Sequence, residues 1–314
     1  MIVTVTLNAA LDITYHTPAL VPHTTHRVSD VAERPGGKGL NVARVLSALG
    51  HETVVTGFAG GRTGDVLREL LGNSGPGGSR ARPVDALVPI SGSTRRTLAV
   101  VDETSGDTTQ LNEPGPTVSS AEWSDFLGAY ERLLTGADAV ALCGSLPPGI
   151  HVGAYAELIR RARAAGVPVL LDTSGEPLRR GVAARPDLVK PNADELARLT
   201  GSREPLRAAR DARRRGAHAV IASLGPDGIL AATPDGIWQA TPPASVKGNP
   251  TGAGDSAVAG LLSGLVERLP WPARLARAVA LATATVLAPA AGEFDTEAYE
   301  ELLPRVTVTE HPGP

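Results

Sequence analysis

The chain has 314 residues, with 30 Lys and Arg against 33 Asp and Glu and a net charge of -3. No overall field therefore gathers nucleic acid or anionic lipid, and any affinity for phosphate has to be local. A single cysteine, Cys143, excludes an internal disulfide framework; the opening MIVTVTLN lacks the regions of a signal peptide, and the apolar run 278–292 is short and interrupted by Pro289, so the expectation is a cytoplasmic protein with no membrane or nucleic-acid partner.

In chain order, residues 2–7 alternate Ile, Val and Thr as a strand does, and 39–49 carry apolar residues at helical spacing, stopping before Gly50. Strand patterns follow at 53–58, 137–142, 167–172, 188–189 and 219–223, alternating with helical patterns at 62–71, 121–134, 155–165 and 193–199. Such alternation predicts an α/β fold with a mainly parallel sheet covered by helices on both faces. The stretch 252–303 reads almost entirely helical. Two stretches leave the alternation: 13–33 and 94–111 are polar and rich in Thr and Val, the second with a turn at Ser105-Gly106-Asp107, and both are predicted as β-hairpin material outside the main sheet. Residues 72–83, rich in Gly, Ser and Pro, are predicted as a flexible connection. With no repeat and no second core, residues 1–314 are expected to form one domain.

Only three of the basic residues are lysine, Lys38, Lys190 and Lys247, and Asn41, Asn192 and Asn249 lie within three positions of them. The sharpest motif nearby is Thr251-Gly252-Ala253-Gly254-Asp255-Ser256, in front of a helical run. Glycines there let the backbone approach a ligand, and the free N–H groups and helix dipole favour an anion. An acidic Asp255 in such a site points to work beside the phosphate, such as taking a hydroxyl proton; the alternative is a first-turn residue that complements the dipole. The dinucleotide fingerprint is mimicked, but only helical pattern follows it, and no P-loop motif occurs. Gly36-Gly37-Lys38-Gly39-Leu40-Asn41 reads as a tight turn at a helix start that puts Lys38 and Asn41 on one face, suited to a sugar's hydroxyls or phosphate; the alternative is a plain tight turn with a solvated lysine. In Lys190-Pro191-Asn192-Ala193-Asp194-Glu195, Asn192 and Glu195 have capping-box spacing, which explains both but not the lysine; a metal-bound phosphate explains all three. Ser223-Leu224-Gly225-Pro226-Asp227-Gly228 follows a strand, where a loop can line a nucleotide or be a plain turn.

Together with Thr6-Leu7-Asn8-Ala9-Ala10-Leu11-Asp12, these motifs resemble the PfkB (ribokinase-like) carbohydrate kinases over essentially the whole chain. Thr94-Arg95, Gly144-Ser145-Leu146-Pro147-Pro148-Gly149 and Asp172-Thr173-Ser174-Gly175-Glu176 resemble the subgroup of 1-phosphofructokinases and tagatose-6-phosphate kinases. The resemblance implies a ribokinase-like fold with a small β-sheet lid, here 13–33 and 94–111, ATP and Mg²⁺ as cofactors, and a ketohexose monophosphate as substrate. It implies that Asp255 is the catalytic base, with Gly252, Ala253 and Gly254 as an anion hole, and that Asn192 and Glu195 act on Mg²⁺, directly or through water. Lys190, Ser223, Gly225, Pro226 and Gly228 fall where the family meets ATP; Asp12, Gly37, Lys38, Asn41, Arg27 and Arg95 fall where it meets a phosphosugar. Ala9, His26 and the pair Pro250-Thr251 depart from the common pattern without removing a charged group. The rival readings are a kinase of a neutral sugar or nucleoside and a nucleotide-binding regulator without turnover. A homodimer joined through the lid is also expected.

Overall fold

The computed structural model describes residues 1–73, 82–288 and 290–311. Strand β1 (Ile2–Thr6) runs through the middle of the main sheet, parallel to β4 (Thr53–Ala59) on one side and β9 (Ala139–Cys143) on the other. Beyond β9 come β10 (Val169–Asp172), β11 (Leu188–Val189) and β12 (Ala219–Ser223), all parallel, and the short β5 (Val84–Asp85) and β6 (Val88–Pro89) pair with β4. Three antiparallel strands, β13 (Ile229–Ala232), β14 (Ile237–Thr241) and β15 (Thr307–His311), complete the edge beyond β12.

Period-two side chains divide two cores across this sheet. Val140 and Leu142 of β9 enter the core formed with α3 (Ser120–Leu134), α4 (Ala154–Ala164), α5 (Gly175–Ala183), α6 (Ala193–Thr200) and α7 (Pro205–Arg214). Ala139, Ala141 and Cys143 face α1 (Lys38–Ala48), α8 (Ala253–Val266) and α9 (Trp271–Val286). Burial on both faces is why the central strands are nearly continuously apolar. Helix α8 is buried without a break from Asp255 to Gly264, and Gly260 lets α9 approach so closely that a Cβ there would lie 2.8 Å from the Cα of Ala278. Helices α2 (Gly61–Asn73) and α10 (Thr296–Leu302) complete the layers.

A separate four-stranded sheet, in the order β3 (Asp30–Gly36), β2 (Ala10–Thr17), β7 (Arg95–Asp102), β8 (Thr108–Asn112), accounts for the two stretches that leave the alternation. It starts at Ala10, earlier than expected, because only Leu7, Asn8 and Ala9 separate β2 from β1. Of the expected connection 72–83, residues 74–81 lie outside the described residues, while Gly72 and Asn73 finish α2 as helix. No described helix is long and apolar enough to cross a membrane.

Candidate active site

The chain passes from β1 to β4 on one side and returns to β9 on the other, so the sheet has a topological switch point beside β1. Crevices form there at the carboxyl ends of strands. A cavity of about 590 Å³ occupies this place, with walls from the ends of β1, β9, β10, β11 and β12, the first turns of α1 and α8, and residues Thr97, Gln110 and Asn112 of the small sheet.

Its floor is the start of α8. Gly252, with φ of +86°, caps the helix, and a Cβ there would lie 2.8 Å from both Cα and Cβ of Ala291, so the position needs glycine. The Ala253 N–H that follows donates to the Pro250 carbonyl at 3.1 Å, and the start of the helix carries the partial positive charge of its dipole. Asp255 stands in that first turn, 6 % exposed, and one carboxylate oxygen accepts a hydrogen bond of 2.9 Å from Asn41 Nδ2 on α1. Burial, and then the like charge of Asp172, push its pKa up to about 6, against the pull of Lys38, Asn41 and Lys190. That is the value of a base poised near neutrality.

Lys38 opens α1 after Gly37, and its ammonium contacts both oxygens of Asp172 at 3.3 and 3.2 Å. Partial burial lowers its pKa, but Asp172, Asp255 and Glu195 outweigh this and hold it above the ordinary lysine value. Lys190, 4 % exposed at the end of β11, reaches Asp172 at 3.5 Å from the other side, and its ammonium lies 3.5 Å from where a Cβ of Gly254 would stand. A buried cation therefore borders the helix start.

Asn192 and Glu195 form the predicted capping box. Glu195 N–H donates to Asn192 Oδ1 at 2.8 Å, and Asn192 N–H donates to Glu195 Oε2 at 2.9 Å. Glu195 Oε1 makes no hydrogen bond among the described residues, and no group of three metal-ligating side chains exists among them. One carboxylate oxygen on a wall beside an anion site fits a hard cation whose other ligands are phosphates and water.

On the opposite wall, Asp12 Oδ1 accepts a 2.5 Å bond from Thr97, across the register of β2 and β7. Burial pushes the Asp12 pKa up, against the Thr97 bond and the charges of Arg95 and Arg44. Arg95 is held by its Nε on the carbonyl of Asn8 at 3.1 Å and by one Nη on that of Glu113 at 3.2 Å.

The structure thus brings together Asp12, Gly37, Lys38, Asn41, Arg95, Lys190, Asn192, Glu195, Ser223, Gly252, Gly254 and Asp255 on one cavity. Ala253 sits between two lining residues without lining it. Gly225, Pro226 and Gly228 form a turn between β12 and β13 away from its wall, and Arg27 is exposed in the loop between β2 and β3, outside the lining. Residues the sequence reading gave no role stand here as well: Asn8, whose Nδ2 donates to Pro114 O and Ser145 Oγ at 3.1 Å each, and Asp172 behind the wall. Both lie inside motifs that carry the family resemblance, which is the signal that could have found them.

The chain is 32 % identical to the tagatose-6-phosphate kinase of Staphylococcus epidermidis over 318 residues, 99 % of this chain and 100 % of that one. The structure of Escherichia coli phosphofructokinase-2 with fructose-6-phosphate superposes with a TM-score of 0.86 at 29 % identity, covering 96 % of this chain and 98 % of that one. A Thermotoga maritima structure described as a possible 1-phosphofructokinase superposes at 0.85 and 27 % identity, covering 99 % and 100 %. Residues 5–298 match the pfkB family carbohydrate kinase pattern, and the chain belongs to that family.

Proposed function

We propose that the chain is an ATP-dependent kinase that transfers the γ-phosphoryl group to a free hydroxyl of a ketohexose monophosphate, fructose 1-phosphate or tagatose 6-phosphate, giving the 1,6-bisphosphate. The observation that carries this reading is Asp255: a buried carboxylate in the first turn of a glycine-opened helix, with Lys190 beside it and cationic and polar side chains opposite. In this reading Asp255 takes the hydroxyl proton as the oxygen forms its bond to phosphorus and the bond to the β-phosphate oxygen breaks. The Gly252 and Gly254 amides and Lys190 stabilise the charge on the transferring group, where fixed donors act most strongly, while the Ala253 amide is held by Pro250 O. Asp12 and Asn41 hold sugar hydroxyls, and Lys38 and Arg95 hold the phosphate the substrate already carries. Asn192 and Glu195 would hold Mg²⁺, through water and through Oε1, to neutralise phosphate charge. ATP consumption over a panel of sugar phosphates, free sugars and nucleosides tests the reading. Turnover is expected with a ketohexose phosphate; preference for a neutral acceptor, or no turnover at all, overturns it.

Two further outcomes follow from single groups. Because Asp255 must be ionised to accept a proton, kcat/KM should be level above neutrality and fall roughly tenfold per pH unit below pH about 6, the value its surroundings impose. A profile flat to pH 5 would deny it the role. Glu195→Gln keeps a side chain able to cap Asn192 but removes the charge, so the Mg²⁺ concentration for half-maximal rate should rise while the melting temperature holds. An unchanged Mg²⁺ dependence with a lowered melting temperature would leave Glu195 only the capping role.

We also infer a homodimer joined through the small sheet. Strand β8 is exposed along its whole length, with Leu111 59 % exposed, and Val31 on the other edge strand is 54 % exposed. Unpaired edges with apolar side chains call for a cover. A monomeric mass by light scattering at micromolar concentration would contradict the dimer.

A further inference from the structure

Asp172 ends β10 with its side chain wholly buried, and it is not part of the cavity wall. Two side chains that are part of it, Lys38 from α1 and Lys190 from the end of β11, both end on its carboxylate, at 3.2 and 3.5 Å. The chain has three lysines, and two of them converge on this one acid. A lysine stem has four rotatable carbons and considerable rotamer freedom, which a binding step must otherwise remove. An ammonium has three N–H donors, so contact with Asp172 leaves donors for a ligand. Both ammoniums act on the charge of Asp255, and Lys190 also borders the helix start at Gly254.

We propose that Asp172 is the positioning residue of this site, a buried carboxylate that fixes the ammonium groups of Lys38 and Lys190 on the cavity wall they share with Asp255 before substrates arrive. The proposal rests on the kinase reading above. Four charges then make a neutral set behind and along the wall, two carboxylates and two ammoniums, and this balance lets Asp172, Lys190 and Asp255 remain buried while Lys38 stays partly exposed to the cavity. The charged groups that act on Asp255 are Asp172, Lys38 and Lys190, with the Asn41 amide hydrogen-bonded to it. Asp172 pushes its pKa up, and the lysines pull it down. Loss of the Asp172 charge should therefore make Asp255 a stronger acid, while a role in packing alone would leave its titration where it is.

The test is the pH dependence of kcat/KM, with KM for ATP and for the phosphosugar, in wild type, Asp172→Asn, Lys38→Met and the double variant. Asp172→Asn is expected to raise both KM values roughly tenfold, as each ammonium loses its anchor, and to move the acid limb to lower pH. Lys38→Met should move that limb the other way and spare KM for ATP. Should Asp172→Asn not fold, the double variant removes one charge of each sign and keeps the set neutral; its KM for ATP should exceed that of Lys38→Met alone, because Lys190 is now loose. An acid limb of Asp172→Asn identical to that of wild type, or equal ATP KM values in Lys38→Met and the double variant, overturns the role of Asp172. Absence of phosphoryl transfer in wild type overturns the kinase reading itself, and with it this proposal.

Discussion

Asp255→Asn should lower kcat roughly 10³-fold while leaving nucleotide binding in place, because general-base catalysis is worth about 10²–10⁴ and the helix-start amides and Lys190 are untouched. The geometry makes this a clean substitution. One oxygen of Asp255 already accepts from Asn41, and the amide of the variant can keep that bond with its carbonyl while presenting to the substrate a group that takes no proton. The stability of the variant provides an independent check. The fold holds Asp255 at about 6, above the ordinary carboxylate value of 3.8, so its ionised form opposes folding. That opposition is absent below 3.8, grows through this window and is complete above about 6. The variant lacks it and should melt no lower than wild type at pH 8. A loss of kcat combined with a lower melting temperature and lost ATP binding in calorimetry would indicate collapse of the helix start. A near-native kcat would make Asp255 only a dipole-complementing residue.

The second large effect concerns the anion the substrate brings with it. Arg95 stands on the wall opposite the helix start, fixed by the carbonyls of Asn8 and Glu113. Burial pulls its pKa down while Asp12 and Glu113 support it, and a guanidinium remains charged throughout the working pH range. A charge-assisted contact contributes about 1.5–3 kcal/mol, so Arg95→Ala should cost roughly tenfold to 150-fold in kcat/KM for the phosphosugar. Loss of the two carbonyl contacts disturbs the wall for every substrate. The measurement therefore needs free fructose or tagatose beside the phosphosugar: mutation against substrate phosphate is a double cycle in which the wall term cancels. Equal harm to both substrates would remove Arg95 from phosphate binding.

What was legible in the sequence was local. Strand β12 matches its expected bounds, α1 starts one residue before its predicted first position, and the Asn192 and Glu195 capping box needs only four residues to specify it. Helix α7 carried too weak a signal, since its buried face is Ala208, Ala209 and Ala212 among arginines and reads as polar throughout. Strands β13 to β15 are short, and β15 joins β14 only after the intervening residues 242–306 with their three α-helices, so its register depends on packing that no local pattern announces. The same holds in the site. Glycine-opened helix starts and charged residues beside them are visible as motifs. The convergence of Lys38 and Lys190 on Asp172 spans 134 residues between the first lysine and the acid, and only the parallel sheet brings them together. Arg27 shows the converse case, since its place in a motif puts it near the phosphosugar and its loop leaves it exposed outside the cavity.

The central claim, transfer of a phosphoryl group to a phosphosugar hydroxyl, is tested most directly by following phosphorus in the wild-type reaction. With ATP, Mg²⁺ and tagatose 6-phosphate or fructose 1-phosphate, the ³¹P NMR spectrum should show ADP appearing together with a second phosphate ester on the sugar, in equal amounts. ATP left intact with both sugars, or ATP consumed with inorganic phosphate as the only new species, would contradict the account.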